Sequence, residues 1–273
     1  MSENIDLASC AFDLTFIRCG SIEKQEVKGE EMSMKKEVMV DMTSGRIAPQ
    51  ILRFAMPVLL GLVFQRIYNF ADSYIVGHFL GDNALAAVSV AGVGMYLVFS
   101  LIIGLTTGVT VVMSQYYGAK EEDKVVKTFF SSIFIALGMT IFVTVIGLFM
   151  TRPLLIVLQT PAEVLDEAVL YLRIICAGSV GTMLYNWISA VLRSLGNSVV
   201  PLIFLGISSL LNIVFDILFV AVIPLGVGGA AFATVLAQVI SGVACLLYAW
   251  KILPMLRIRR DKLKLDTYIG KQM

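Results

Sequence analysis

Residues 199–250 read VVPLIFLGISSLLNIVFDILFVAVIPLGVGGAAFATVLAQVISGVACLLYAW, and Asp216 is the only charged side chain among them. A helix needs roughly 20 predominantly apolar residues to cross a bilayer, so this stretch is long enough for two crossings. A proline and three glycines (PLGVGG) separate its two halves, as is typical of a turn. The stretch therefore predicts two consecutive membrane-spanning helices, 199–223 and 228–250.

The rest of the chain has a similar composition. Of its 273 residues 58% are hydrophobic and 15% are charged, with a mean hydropathy of +0.86, whereas soluble domains have roughly 45–50% apolar and about 25% charged residues. Residues 1–45 and 251–273 together hold 23 of the 41 charged side chains. The composition excludes a typical soluble globule and predicts an all-α, polytopic membrane protein whose surroundings are membrane lipids.

Turn-forming residues divide the apolar region into six predicted spans. These are 49–77, 84–110, 125–150, 166–192, 199–223 and 228–250. Together they form one transmembrane unit over residues 46–250. Residues 1–45 mix charges of both signs without a helical or strand period, which predicts a disordered N-terminal extension. Residues 251–273 form a basic tail.

The distribution of Lys and Arg predicts the orientation in the membrane. The N-terminal flank, the loops after spans 2 and 4, and the tail are rich in Lys and Arg, whereas the opposite side has only Arg152 and Arg173. Because basic residues accumulate on the cytoplasmic side, we expect both termini to be cytoplasmic in a protein of the cell membrane. No basic tract outside the tail indicates a nucleic-acid partner, and the four scattered cysteines form no CxxC pair. We expect no cofactor.

Polar side chains inside the spans are the candidate functional residues, because an ionisable group there costs roughly 2.5–3.5 kcal/mol on insertion scales. In span 1, Gln65, Asn69 and Asp72 fall on one helix face, and Arg66 lies beside that face. In span 5, Ser209, Asn212 and Asp216 form a second such face. Further candidates are Tyr171 and Asn186 in span 4 and Thr234 and Gln238 in span 6.

These residue types are consistent with a cation site. Carboxylate, amide and hydroxyl oxygens are the ligands that hard cations take, and a carboxyl group in a membrane can carry a proton instead. A structural alternative is that Asn, Ser and Thr join helices at about 0.6 kcal/mol each, and that Asp216 pairs with Arg66. For Thr234 and Gln238 taken alone, we favour the structural role of joining neighbouring helices. Two carboxyl groups beside one arginine leave at least one without a partner, so we favour function for Asp72 and Asp216.

Four ordered motifs carry a resemblance to a known family. They are YNFADSYIVG at 68–77, SQYYGA at 114–119, LRSLGN at 192–197 and LNIVFD at 211–216. They resemble the N-terminal lobe of bacterial multidrug and toxic compound extrusion (MATE) transporters, in the branch that includes DinF and MepA. The resemblance implies one six-helix lobe of a twelve-helix antiporter that exports organic cations and other amphipathic compounds in exchange for Na⁺ or H⁺.

The resemblance also implies which residues bind the coupling ion. Carried over by motif and spacing, they are Asp72, Asn212, Asp216, Thr234 and Tyr171, and Na⁺ binding is expected at the first four. The remaining polar residues, Gln65, Arg66, Asn69, Asn186 and Gln238, are expected to line a cavity.

The length of the chain departs from the family pattern of two lobes in more than 400 residues. We therefore expect a truncated half whose partner is the missing C-terminal lobe, or, as a second reading, a half-transporter that pairs with another copy. The tail 251–273 would then begin the linker between lobes. Three other functions stay open at this stage: a flippase for lipid-linked saccharides, a remnant without transport activity and, remotely, an intramembrane aspartyl protease.

Overall fold

The structure is a computed structural model that describes residues 47–253 and Gly270. The predicted extension 1–45 and most of the tail 251–273 lie outside the described residues. Within residues 47–253 the regular elements are helices. They are α1 (Ile47–Leu80), α2 (Asp82–Gly118), α3 (Glu122–Val157), α4 (Ala162–Ala177), α5 (Ser179–Ser194), α6 (Val199–Asp216), a π-helical segment (Ile217–Val222) and α7 (Gly226–Ile252).

The membrane-spanning character of the helices agrees with the sequence. Five helical stretches are long and apolar enough to cross a bilayer, and the bent pair α4–α5 makes a sixth. The all-α, polytopic fold predicted from composition is therefore confirmed. Large apolar side chains cover the outside of the bundle, including Phe70 (76% exposed) and Phe149 (76% exposed), as expected for surfaces that face lipid.

Helix α7 lies at the centre of the bundle, where it packs against α4, α5 and α6. Small side chains make this close packing possible, because lipid tails are as apolar as the helices and only intimate contact favours association. Ala230, Ala233 and Ala237 on α7 are fully buried. Helix α1 packs mainly against α6. Of the 18-residue apolar stretch that qualifies α1 as a membrane span, only 6% is buried inside the bundle.

The span predicted over 166–192 consists of two helices. They meet at Gly178 with a bend of 50°. A Cβ atom on Gly178 would lie 2.3 Å from Cγ2 of Val235, so this position brings the bend directly against α7. Periodicity did not predict the bend, because glycine is common inside unbroken membrane helices.

The span predicted over 199–223 also changes character along its length. Its α-helical part ends at Asp216, and the segment Ile217–Val222 continues as a π-helix. Gly229 faces this segment, where an added Cβ would lie 2.8 Å from the Phe219 carbonyl oxygen. Short π-helical segments occur frequently at functional sites. Asp216 thus occupies the junction of two helix geometries in the interior of the protein.

Candidate cation-binding site

Two aspartates from different spans meet inside the bundle. Asp72 lies on α1, and Asp216 is the last residue of α6. Their carboxyl groups are close enough to interact directly with each other. Asp72 is 8% exposed and Asp216 is 0% exposed. The two carboxyl groups meet because α1 packs against α6.

Asn212 and Thr234 extend this site toward α7. The Asn212 side-chain nitrogen Nδ2 donates a hydrogen bond to Thr234 Oγ1 at 3.1 Å, and the Thr234 hydroxyl donates to the Ala230 carbonyl oxygen at 3.2 Å. Asn212 lies one helical turn before Asp216, so both side chains leave α6 on the same face. The interhelical bond predicted for Thr234 is therefore present, and it lies beside the aspartates.

Two tyrosines complete the surroundings of the aspartates. Tyr171 on α4 is 4% exposed, its hydroxyl interacts with Thr234, and it lies within electrostatic range of Asp72 and Asp216. Tyr68 lies near the same two aspartates and was not among the sequence candidates. Its position four residues before Asp72 places it on the same helix face, and this spacing is the signal that could have identified it.

Several oxygen atoms in this site have no hydrogen-bond donor. Within the described part of the chain, these buried and unpartnered atoms are Asp72 Oδ1, Asn212 Oδ1 and both carboxyl oxygens of Asp216. A buried acceptor without a partner costs roughly 1–3 kcal/mol, and more when it is charged. Four such atoms together form a concentration of negative potential that a cation or a proton would relieve.

Arg66 does not neutralise the aspartates. Arg66 is exposed on the surface of α1. The ion pairs found among residues 47–253 are Lys124–Glu121 and Arg152–Asp166. The alternative in which Asp216 pairs with Arg66 is therefore absent from the described structure. Among residues 47–253, no basic side chain pairs with either buried aspartate.

The other predicted cavity residues lie outside this cluster. Gln65 and Asn69 are exposed on α1, although Gln65 contacts Tyr68. Gln238 on α7 accepts a hydrogen bond from Thr182 on α5, and Asn186 Nδ2 donates to the Thr182 carbonyl oxygen at 2.8 Å. For Gln238 this arrangement matches the helix-joining role.

The arrangement can hold one small cation or a shared proton. A cation between the carboxyl groups would find two acidic side chains, the Asn212 amide oxygen and the Thr234 hydroxyl within one cluster, which are suitable oxygen ligands. In the described part of the chain, no group of three or more His, Cys, Asp or Glu residues could hold a metal ion. The site therefore offers two formal negative charges, which one proton or one monovalent cation reduces to one.

A bundle of apolar spans around an acidic pair defines a polytopic membrane protein with a candidate functional site within the bilayer. Comparison with known proteins narrows this class. The family model MatE matches residues 57–218, which run from α1 to the π-helical segment. The chain belongs to this family, the MATE family of multidrug efflux transporters.

Individual relatives agree with this assignment. The chain is 35% identical over 212 residues to the probable multidrug resistance protein YpnP of Bacillus subtilis (strain 168), a match that covers 77% of this chain and 47% of YpnP. It is 25% identical over 222 residues to the multidrug export protein MepA of Staphylococcus saprophyticus, covering 79% of this chain and 48% of MepA. It spans about half the length of these curated relatives.

A solved structure has the same fold. A crystal structure of a MATE protein in complex with MaL6 superposes with a TM-score of 0.77 and 25% sequence identity, covering 84% of this chain and 51% of the other. The predicted resemblance to the MATE family and the predicted one-lobe architecture are both confirmed. The chain corresponds to about half of such a protein.

Proposed function

We propose that this chain forms the ion-binding half of a cation-coupled antiporter that exports amphipathic or cationic compounds across the cytoplasmic membrane. The supporting observation is the group of four buried oxygens without donors around Asp72, Asn212 and Asp216. Na⁺ or H⁺ entering from outside binds there and shifts α1 relative to α6 and α7. The ion moves this equilibrium only through its different affinity for the two states, and the outward-open state then releases the exported compound.

The second half of the antiporter is a further six-helix lobe, or another copy of this chain. Two observations support the need for a second half. The chain matches only about half the length of its relatives, and α1 is largely exposed. Two facing aspartates would also suit an intramembrane aspartyl protease, but membership of a transporter family favours transport. Lipid-linked saccharide transport is less well supported, because Arg66 is the only cationic residue near the middle of the spans.

Thr234 provides the direct test of ion binding. In lipid nanodiscs we expect the chain to bind ²²Na⁺ saturably, or to take up protons, and either kind of binding should depend on Thr234. Thr234→Val removes the hydroxyl beside Asn212, so affinity should fall roughly tenfold, whereas Thr234→Ser keeps the oxygen and should bind nearly as the wild type does.

The matched control for this experiment is Thr140→Val. Thr140 is also buried, but its hydroxyl donates to the Ala136 carbonyl oxygen on its own helix at 2.8 Å, away from the aspartates. Ion affinity should therefore be unchanged in Thr140→Val. The proposed function is contradicted if the wild type binds neither ion, or if Thr140→Val and Thr234→Val weaken binding equally.

The proposed orientation places both termini in the cytoplasm. The loop between α3 and α4 would then lie outside the cell, and the loop between α5 and α6 inside. Alkaline phosphatase fused after Gln159 should be active, and the same enzyme fused after Gly196 should be inactive, because it folds only outside the cytoplasm. Fluorescent protein fusions at these two positions should give the opposite pattern. The reverse result at both positions would show that the termini lie outside.

A further inference from the structure

Arg193 is a cation that the described protein leaves without a partner. It lies in the last turn of α5 and is half-buried, beside Tyr185 and Cys245. Within residues 47–253, neither ion pair involves Arg193 and no hydrogen bond is made by its guanidinium. A guanidinium group has five N–H donors and is always charged. A half-buried guanidinium with no acceptor requires one from the surroundings.

The neighbouring groups cannot supply a counter-charge. The Tyr185 hydroxyl donates its hydrogen to the Pro201 carbonyl oxygen at 2.9 Å, so it offers Arg193 only a neutral oxygen. Cys245 is a buried, free thiol on α7. The acidic residues of α1 and α6, Asp72 and Asp216, form their own cluster. Within residues 47–253 no acidic side chain pairs with Arg193, which leaves its guanidinium group available to an anion from the surroundings.

The position of Arg193 indicates where that anion comes from. Short connections join α5 to α6 and α6 to α7, so α5 and α7 end on the same side of the bundle. At that end of α7, Trp250 is 47% exposed and Lys251 is exposed. Aromatic and basic residues of this kind mark the level of the lipid headgroups.

We propose that Arg193 binds the phosphate group of a phospholipid headgroup at the end of the bundle where α5 and α7 finish. Arginine suits this ligand because its planar donors match two phosphate oxygens at once. Basic pockets between membrane helices bind anionic headgroups in the same way. The Tyr185 hydroxyl, which donates to the Pro201 carbonyl oxygen, belongs to the side chain beside Arg193.

The test is a lipid titration of the full chain, purified in detergent and followed by native mass spectrometry and thermal stability. Phosphatidylglycerol should bind saturably and raise the melting temperature. Diacylglycerol with the same acyl chains lacks the phosphate and should do neither. Inorganic phosphate at equal concentration should have little effect, because it lacks the acyl chains that place it at the membrane surface.

Substitutions assign the effect to Arg193. Arg193→Gln should weaken phosphatidylglycerol binding roughly tenfold or more, and Arg193→Lys should weaken it less because it keeps the charge but loses the paired donors. Arg173→Gln is the matched control, since Arg173 is an exposed arginine on α4, on the other side of the bend at Gly178. Arg193→Lys also covers the case in which Arg193→Gln does not fold.

Three results would overturn the proposal. They are equal binding by wild type and Arg193→Gln, equal stabilisation by diacylglycerol, and equal loss of binding in Arg173→Gln. Stabilisation by inorganic phosphate as strong as that by phosphatidylglycerol would overturn the lipid as the source of the phosphate.

Discussion

We expect Asp216→Asn to weaken binding of the proposed coupling cation by about 100-fold or more. Both carboxyl oxygens of Asp216 are buried without donors, and its side chain faces Asp72. Removing one partner of a buried ion pair typically costs about 3–5 kcal/mol, and a cation held between the two aspartates would lose one of its two charged partners. Asp72→Asn should have a smaller effect in the same direction, because only one of its oxygens is fully buried without a donor, whereas both oxygens of Asp216 are.

The same substitutions should not destabilise the protein. Two facing carboxylates without a cation repel each other, and neutralising one of them removes this repulsion and lowers the cost of burial. We therefore expect the melting temperatures of Asp72→Asn and Asp216→Asn, measured without Na⁺, to equal or exceed that of the wild type. A loss of ion binding without a loss of stability separates a functional role from misfolding.

Asp166→Asn is the matched control for these variants. The Asp166 carboxyl group is 83% exposed and lies 3.4 Å from the Arg152 guanidinium. Asp166→Asn therefore makes the same chemical change away from the bundle interior. Exposed ion pairs contribute about 0–1 kcal/mol, and neither ion binding nor stability should change markedly. In a protein that combines this chain with a second lobe, export by Asp72→Asn and Asp216→Asn at the wild-type rate would contradict cation coupling through this site.

Gly181→Val should unfold or severely destabilise the bundle. A Cβ atom at Gly181 would lie 2.6 Å from Val239 Cγ2 and 3.1 Å from the Val239 backbone nitrogen. Backbone cannot yield as a side chain can, so α5 and α7 would have to separate. Overpacking of this kind typically costs 1–3 kcal/mol and sometimes more. Thr182 and Gln238 are the sequence neighbours of Gly181 and Val239, so separating α5 from α7 would also break the Thr182–Gln238 hydrogen bond.

Gly206→Val is the control for overpacking. Gly206 lies on α6, and an added Cβ there meets no atom within 4 Å. The thermal stability of Gly206→Val in nanodiscs, measured as resistance to proteolysis, should stay close to that of the wild type. The stability of Gly181→Ala should fall between those of the two valine variants. Equal stability of Gly181→Val and Gly206→Val would show that α5 and α7 tolerate a larger separation than the structure indicates.

Much of the site could be predicted from the sequence because charge in a membrane span is costly. Asp72 and Asp216 were identified as isolated charges in apolar helices, and the spacing of Asn212 relative to Asp216 placed both on one face. Tyr68 was not identified, because a tyrosine in an apolar span costs little and gives no signal until a neighbouring carboxyl group is known. The exposure of Gln65, Arg66 and Asn69 was equally invisible, since helical periodicity does not say which face a neighbouring helix covers.

The sequence by itself determined that this protein is a set of membrane-spanning helices containing two unexplained carboxyl groups. That result needs only the free energy of transfer from water to lipid, which each residue contributes separately. The tertiary structure alone decided that Asp72 faces Asp216, that Arg66 is turned away from both, and that the fourth span bends at Gly178. It also decided that Arg193 has no counter-charge among residues 47–253. These facts depend on how helices pack, and packing is a property of pairs of surfaces that no single helix encodes.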